Sequence, residues 1–322
     1  MSFKALVCTL LGCVILWHAG SAAAEVAAQA IAVHELTRYK SVEVDGLQIF
    51  YREAGPPTAT TILLLHGFPS TSRMYEPLFQ RLADRYHLIA PDYPGFGHSD
   101  APPADQFAYT FDHLATIVDH FTQRVHATSY VLYVQDYGGP VGMRLAMAHP
   151  ERVKALIIQN ATSHDDGLGP LWEPRKAFWK DREKYEAKVE ENLMSLAAAK
   201  QRHIGSSPNP DVYDPDLWTD EFAMLSRPGE TAIQSDLFYD YQTNVASYPK
   251  WQAWLRETQP KTLVIWGRYD PSQLAAEAAA YQRDLPHAEV HVMDAGHFAL
   301  DLAPDADAIA AWMRDFLRRN GL

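Results

Sequence analysis

Residues 130–142 read YVLYVQDYGGPVG, and this stretch decides the fold. Its first five residues have the length and the β-branched and aromatic character of a buried strand. The run stops at Asp136, and three glycines then permit a tight turn into a helix predicted over residues 143–149. A strand, a sharp turn and a helix can hold a nucleophile clear of a sheet, usually a serine in the pattern G-x-S-x-G. Asp136 occupies the place of that serine, so we expect a carboxylate nucleophile.

Patterns of strand and helix alternate on both sides of this stretch. Near the amino terminus, residues 41–44 and 47–52 flank Asp45-Gly46, a two-residue turn signal that predicts an antiparallel hairpin. The alternation predicts an α/β fold in which a mostly parallel central sheet carries helices on both faces. Further strands are predicted at residues 61–65, 87–90, 153–159, 262–266 and 289–293, and helices at residues 74–83, 111–126 and 304–319.

The alternation breaks in one long segment, residues 164–255, which is helical in pattern and rich in aromatic residues. We expect a helical cap inserted into a core formed by residues 25–163 and 256–322. Most of the rings should form the core of the insertion itself, and residues 176–200 should present a solvated face over a packed stripe. An insertion at this position would lie over the mouth of the sheet, so some rings should also line a pocket.

The composition and charge of the chain limit the classes of function that it can have. The chain has 322 residues, of which 47% are hydrophobic and 21% charged, as is ordinary for a globular enzyme. A net charge of −12 without a basic cluster argues against a nucleic-acid partner, so we expect a small uncharged organic substrate and water. No cofactor or metal is expected. The one candidate for a metal, His164-Asp165-Asp166, has no second ligand cluster and is predicted to be a solvated loop.

The amino terminus has the pattern of an export signal. Lys4 precedes an apolar run over residues 5–17, and three alanines end at residue 24, before Glu25. We therefore expect residues 1–24 to be removed and the mature protein to be periplasmic or secreted, without a stable membrane span. The alternative is a membrane anchor, but the run is shorter than the roughly 20 apolar residues that span a bilayer. Both cysteines lie within the signal, so the mature chain would form no disulfide.

Two further polar residues complete a catalytic pattern with Asp136. Asp270 follows one late strand and His297 follows the next. The order nucleophile, acid, base along the chain is typical of α/β-hydrolases. Each residue also has a plainer interpretation, since Asp136 could form a turn, Asp270 could begin a loop and His297 could be a core histidine. A competing acid would follow strand 153–159, but Gln159 and Asn160 stand there, which favours Asp270.

The sequence resembles the aspartate-nucleophile branch of the α/β-hydrolase superfamily, which includes epoxide hydrolases and haloalkane dehalogenases. The resemblance rests on the combination of HGFP at residues 66–69, DYGG at residues 136–139 and GHF at residues 296–298. It extends from about residue 41 to the carboxyl terminus. It implies an α/β-hydrolase fold with a helical cap above the catalytic residues.

The resemblance also implies a two-step hydrolysis. Asp136 is ionised at neutral pH, and it would attack a saturated carbon to form an ester between enzyme and substrate. His297, held in the right tautomer by Asp270, would then activate the water that attacks the ester carbonyl.

The HGFP segment would supply further contacts. Backbone N–H groups of Phe68 and Tyr137 would stabilise the oxyanion that forms in the second step. The resemblance places His66 and Pro69 beside the substrate and implies a cis peptide before Pro69.

The leaving group separates the two activities of this branch. An epoxide opens to an alkoxide, to which cap tyrosines donate in epoxide hydrolases of this type. A halide instead needs two N–H donors, and dehalogenases commonly place a tryptophan directly after the nucleophile. Tyr137 occupies that position, although Gln135 before the nucleophile is met in dehalogenases. We therefore favour epoxide hydrolysis, with haloalkane dehalogenation as one alternative and a non-catalytic ligand-binding protein as another.

The cap contains candidates for contact with either substrate. The segment SDLFYDYQTN at residues 235–244 resembles the one that carries an oxirane-polarising tyrosine, with Tyr241 the better match and Tyr239 next. A second tyrosine would be Tyr213 or Tyr185. Two tryptophans could serve a halide instead: Trp172 and Trp179.

Overall fold

The structure of the protein, a computed structural model, describes residues 36–322. The predicted export signal lies outside the described residues. Within residues 36–322, no helix is long and apolar enough to cross a bilayer.

A hairpin opens the described chain. Strands β1 (Arg38–Val44) and β2 (Leu47–Ala54) pair antiparallel, with Val44 opposite Leu47. The two residues between the strands both have positive φ, 50° at Asp45 and 84° at Gly46. This is the turn that the Asp-Gly pair favours in two-residue hairpins, because its twist matches that of the strands. The predicted hairpin is confirmed.

Eight strands form one sheet in the order β1-β2-β4-β3-β5-β6-β7-β8. The two pairings of β2 are antiparallel and the other pairings are parallel. The mostly parallel sheet predicted from the alternating pattern is confirmed. The six remaining strands are β3 (Thr61–Leu65), β4 (His87–Pro91), β5 (Tyr130–Gln135), β6 (Val153–Gln159), β7 (Thr262–Gly267) and β8 (Glu289–Met293).

Helices cover both faces of this sheet, as predicted. Ile62 and Leu64 pack on one face with the first and last α-helices, and Leu63 and Leu65 pack on the other. The α-helices of residues 36–322 are α1 (Glu76–Leu82), α2 (Phe111–Arg124), α3 (Gly138–Ala148), α4 (Trp172–Lys180), α5 (Arg182–Leu193), α6 (Leu196–Ile204), α7 (Asp216–Leu225), α8 (Glu230–Thr258), α9 (Ala276–Asp284) and α10 (Ala303–Arg319).

Helix α3 begins five residues earlier than predicted, at Gly138 instead of residue 143. The glycines assigned to a turn are therefore inside the helix. A Cβ atom on Gly138 would lie 2.0 Å from the carbonyl oxygen of Leu65, and one on Gly142 would lie 2.5 Å from Val134 Cγ1. Glycine is needed because the helix presses directly against the ends of β3 and β5.

Helices α4 to α8 lie between β6 and β7 in the chain and form the segment predicted to be a cap. Helix α8 is the longest of them, with 29 residues and Pro249 in its interior, and it ends three residues beyond the predicted boundary at residue 255. The division of the chain into a core and a cap stays a prediction.

Candidate active site

Asp136 lies at the corner between β5 and α3, where the backbone takes a left-handed conformation with φ of 49°. Its N–H donates to the carbonyl oxygen of Asn160, and its own carbonyl oxygen accepts the N–H of Gly139 over 2.9 Å. A Cβ atom on Gly67 would lie 2.2 Å from the Cβ of Asp136, so the neighbouring loop approaches as closely as glycine allows. This corner holds the carboxylate out of the sheet, with 13% of the side chain exposed.

His297 and Asp270 stand beside this carboxylate. Nδ1 of His297 lies 2.6 Å from Oδ2 of Asp270, and Nε2 on the other side of the ring lies 3.8 Å from Oδ2 of Asp136. His297 and Asp270 are both buried. The three residues predicted from the chain order are therefore in contact in the order that the predicted chemistry needs.

Asp270 is held ionised by four hydrogen bonds. Besides His297, its oxygens accept the amide of Asn160 over 2.8 Å and the backbone N–H groups of Ser272 and Gln273 over 2.8 and 2.9 Å. Burial would raise the pKa of Asp270, but the facing His297 and these donors bring it below its ordinary value. In the sequence, Asn160 was considered only because it stands where a competing acid could lie. In the structure, its side-chain amide orients Asp270.

The Asp136 carboxylate accepts hydrogen bonds at both oxygens. Oδ1 accepts the N–H of Phe68 over 2.8 Å. Oδ2 accepts the side-chain amide of Gln273 over 2.7 Å. Burial raises the pKa of Asp136, while His297 and the N–H groups of Phe68 and Tyr137 act in the opposite direction. Gln273 was not predicted from the sequence; its position three residues after Asp270, in the same loop, is the signal that could have found it.

Gln135 fixes the other side of the His297 ring. Its side-chain nitrogen lies 2.8 Å from Nε2 of His297. An amide donor at Nε2 and a carboxylate at Nδ1 select the neutral tautomer with the proton on Nδ1, which leaves a lone pair on Nε2. Burial lowers the pKa of His297, but Asp270 and Asp136 outweigh it and the pKa is raised.

A small cavity opens beside Asp136, lined by residues of the sheet loops and of the segment between β6 and β7. Its free space is about 20 Å³, enough for one water molecule. A substrate can therefore enter only if side chains of the cavity move. The lining residues are Phe68, Asp136, Tyr137, Trp172, Arg175, Arg202, Phe238, Tyr241, Ser272 and His297.

Two predicted cap residues, Tyr241 and Trp172, line this cavity. The hydroxyl of Tyr241 is 3.4 Å from Oγ1 of Thr162, a long hydrogen bond. Burial raises the pKa of Tyr241 to about 12. The indole N–H of Trp172 donates to the carbonyl oxygen of Ser272 over 2.8 Å.

The other candidate tryptophan and three tyrosines do not line the cavity. Trp179 donates its indole N–H to the carbonyl oxygen of Phe238 over 2.8 Å. Tyr239 is two residues from Tyr241 and therefore faces the opposite side of α8. Tyr239 packs against Phe178 and Arg182. Tyr213 belongs to a small buried cluster with Ile204 and Trp218, and the ammonium of Lys184 lies over the ring of Tyr185.

His66 and Pro69 flank the cavity without lining it. His66 is fully buried, with its ring 4.3 Å from that of Tyr93, and its Nε2 accepts the N–H of Tyr93 over 3.4 Å. The Phe68–Pro69 peptide is cis, as the resemblance implies. Pro69 faces a second cavity of about 250 Å³ on the other side of the loop.

The prediction that His164 lies in a solvated loop is wrong. His164 is 1% exposed. Its Nδ1 lies 2.8 Å from Glu277 and its Nε2 lies 3.1 Å from Asp284, both on α9. The ring is buried because these two carboxylates satisfy both of its nitrogens.

Comparisons with known proteins identify the family of this chain. A sequence profile described as the alpha/beta hydrolase fold matches residues 60–304. The chain is 37% identical over 272 residues to an uncharacterized hydrolase of Saccharomyces cerevisiae, which covers 83% of this chain and 93% of the yeast protein. It is also 37% identical over 106 residues to Haloalkane dehalogenase 2 of Mycobacterium tuberculosis, or 33% of this chain and 35% of that protein. The chain belongs to the α/β-hydrolase family and is an α/β-fold hydrolase.

Solved structures share the fold over almost the whole chain. The epoxide hydrolase CorEH superposes with a TM-score of 0.70 and 17% identity, covering 88% of this chain and 99% of its own. The haloalkane dehalogenase DbeA of Bradyrhizobium elkani superposes with a TM-score of 0.67 and 21% identity, covering 88% of this chain and 100% of its own. At such identities the likeness establishes the fold, and the reaction has to be argued from the site.

Proposed function

We propose that this hydrolase opens an epoxide to a diol through an ester on Asp136. One observation carries the proposal: the Asp136 carboxylate lies between the N–H of Phe68, at 2.8 Å, and Nε2 of His297, at 3.8 Å. A carboxylate at an elbow needs no base to remove a proton before it attacks. The histidine therefore remains available for the step that follows.

In the first step, an oxygen of Asp136 attacks a ring carbon of the epoxide. The new C–O bond forms the ester, and the ring C–O bond breaks to leave an alkoxide. Tyr241 supports this step because its phenol stays protonated at neutral pH and lines the cavity beside Asp136. The phenol can donate to the departing oxygen, which leaves as a hydroxyl.

In the second step, His297 takes a proton from a water molecule that attacks the carbonyl carbon of the ester. The neutral tautomer, with Nδ1–H toward Asp270, has the required lone pair on Nε2, and the attacking water takes the place of the Gln135 amide that this lone pair now accepts. The oxyanion then lies where Oδ1 now accepts the N–H of Phe68, with the N–H of Tyr137 beside it. Collapse of this intermediate breaks the C–O bond to the substrate, whose oxygen takes the proton from the His297 imidazolium and leaves as the second hydroxyl of the diol. The carboxylic acid left on Asp136 gives its proton back to the phenolate of Tyr241, which restores the enzyme.

Haloalkane dehalogenation is the second candidate, favoured by the 106-residue similarity to a protein named Haloalkane dehalogenase 2. A departing halide needs N–H donors in the cavity. The indole groups of Trp172 and Trp179 already donate to backbone carbonyl oxygens, so neither is free for a halide. This occupancy removes the two tryptophans as donors to a halide and, apart from His297, the other side-chain N–H donors that line the cavity belong to Arg175 and Arg202. The preference for the epoxide therefore rests on Tyr241 and on Tyr137 in the place of the usual tryptophan.

Trapping the ester tests the proposal. In a His297→Gln variant the first step should proceed and the second should stop, so the intact mass should rise by the mass of the epoxide. With a bromoalkane the mass should rise by that of the alkyl group alone, because bromide leaves. A double variant that also carries Asp136→Asn is the matched control and should gain no mass.

The outcomes separate the alternatives. An adduct with epoxides supports the proposal, and an adduct with bromoalkanes only would replace it by dehalogenation. Binding of both compounds to the wild-type protein, with no adduct in the variant and no product, would identify a ligand-binding protein instead.

A further inference from the structure

Two arginines of the segment between β6 and β7 line the same cavity as Asp136. Arg175 lies on α4 and Arg202 lies on α6, and both side chains reach this cavity. Arg175 donates to the hydroxyl of Ser272 over 3.0 Å, and Nη2 of Arg202 donates to the carbonyl oxygen of Leu193 over 2.8 Å. Nη1 of Arg202 is buried with no hydrogen-bond partner. Among residues 36–322, neither guanidinium has a carboxylate within ion-pair distance.

Other partly buried arginines of this chain are paired with carboxylates. Arg144 lies 2.5 Å from Asp112, and Arg152 lies 2.7 Å from Asp119. Enclosing a charge without an acceptor is costly. Two unpaired guanidiniums in one cavity therefore indicate a site for an anion that arrives from outside the chain.

Aromatic rings hold both guanidiniums in place. The guanidinium carbon of Arg175 lies 4.4 Å from the centroid of Trp172, and that of Arg202 lies 4.5 Å from the centroid of Phe68. Stacking covers one face of each group and leaves the N–H edges to donate. Burial lowers the pKa of Arg202 to about 10, helped by the charge of Arg175, so the group is still protonated at neutral pH.

Asp136 is not the partner that these arginines lack. Its two oxygens accept from Phe68 and Gln273, and neither arginine donates to it. A guanidinium bonded to the attacking oxygen would also weaken the nucleophile. The carboxylate of Asp270 is likewise occupied by four other donors.

We propose that the substrate of the reaction proposed above carries a carboxylate, and that Arg175 and Arg202 bind it while the reacting carbon meets Asp136. The parallel N–H donors of a guanidinium match the two oxygens of a carboxylate. Two positive charges also offset the repulsion between an anionic substrate and an anionic nucleophile. The rings of Trp172 and Phe238 line the rest of the cavity, so the substrate class is an epoxy acid.

A matched pair of substrates tests this inference, namely a short 2,3-epoxy acid and its amide. For the wild-type enzyme, kcat/KM for the acid should exceed that for the amide by roughly 10- to 100-fold, the value of a charge-assisted hydrogen bond. In Arg175→Met and Arg202→Met variants the ratio of kcat/KM for the acid to kcat/KM for the amide should approach unity, mainly through a higher KM for the acid. Arg202→Lys keeps the charge but loses the parallel N–H donors of the guanidinium. Its preference for the acid should lie between that of the wild type and that of Arg202→Met.

The test distinguishes this inference from the proposed function. If the His297→Gln variant forms the ester equally fast from acid and amide, the reaction stands and carboxylate recognition is overturned. If it forms the ester from neither, the proposed reaction fails and this inference fails with it. The comparison in the wild-type enzyme decides the matter even if a methionine variant does not fold.

Discussion

At the scale of single residues, the environment of His297 decides how fast the ester would be hydrolysed. Asp270 lies 2.6 Å from Nδ1 and is held ionised by Asn160 and two backbone N–H groups. Its negative charge stabilises the imidazolium that forms when Nε2 takes a proton from water. The same charge raises the pKa of His297 above its ordinary value of 6.5.

An Asp270→Asn variant tests this role. Hydrolysis requires neutral His297, so kcat of the wild-type enzyme should rise with pH as His297 loses its proton in the ester intermediate, where Asp270 is the charge that raises its pKa. The variant should lose on the order of 10³- to 10⁴-fold in kcat, as when the orienting aspartate of a triad is replaced, and its acidic limb should move to lower pH. The pH profile of kcat measures both effects. If the acidic limb of this profile has the same position in the variant and the wild type, Asp270 does not set the protonation of His297.

Three residues of the candidate site could be predicted from the sequence because each stands at a fixed place relative to a strand. Asp136, Asp270 and His297 each follow a strand, so their order along the chain was sufficient to place them together. Arg175 and Arg202 have no such marker, because a charged residue in a charge-rich helix is usually solvated and only the packing of α4 and α6 turns these two inward. The expectation of an uncharged substrate came from the net charge of the chain, which averages over such local arrangements.

At the scale of elements, a buried charge cluster joins α6 and α7 to the segment after β8. His203 of α6 lies 2.9 Å from Glu221 of α7 and 2.8 Å from Asp301, four residues after His297. Burial would lower the pKa of His203, but the two carboxylates raise it to about 10. Burial also raises the pKa of Asp301, so the single imidazolium does not fully offset the burial of two carboxylates.

This cluster should make stability depend on pH. The pKa of His203 is higher in the folded chain, so its contribution is fully present below about 6.5 and is lost as pH rises through about 10. The wild-type melting temperature should therefore fall more steeply between pH 7 and pH 10 than that of a His203→Gln variant. At pH 7 the variant should be less stable by about 3–5 kcal/mol, the usual cost of leaving buried charges unpaired. If thermal unfolding shows the same fall in melting temperature with pH for both proteins, His203 does not carry the pH-dependent stability.

Elements were predicted from the sequence where the residue pattern is periodic. The strands and the Asp-Gly hairpin agree with the structure because alternation and turn chemistry are local. The start of α3 was misplaced because glycine is normally a turn signal. Here Gly138 and Gly142 instead allow close contact with β3 and β5, a requirement set by packing.

At the scale of the whole molecule, the fold encloses the Asp136 carboxylate. Helices of the insertion and the loops of the sheet together leave about 20 Å³ free beside Asp136. Such closure strengthens electrostatic contacts and excludes water from side reactions. Residues that are adjacent in the chain line different cavities. Phe68 and Arg202 line the smaller cavity, and the residues that follow them, Pro69 and His203, line the larger one. A substrate must displace side chains of the smaller cavity before it can reach Asp136.

A single turnover in oxygen-18 water tests the central claim, that Asp136 is the covalent nucleophile. With enzyme in excess over a turned-over epoxide, water attacks the carbonyl of the ester. The diol should therefore leave with an unlabelled oxygen from Asp136, and the peptide that contains Asp136 should acquire oxygen-18. Label in the diol and none in that peptide would mean that water attacks the substrate directly and would contradict the account.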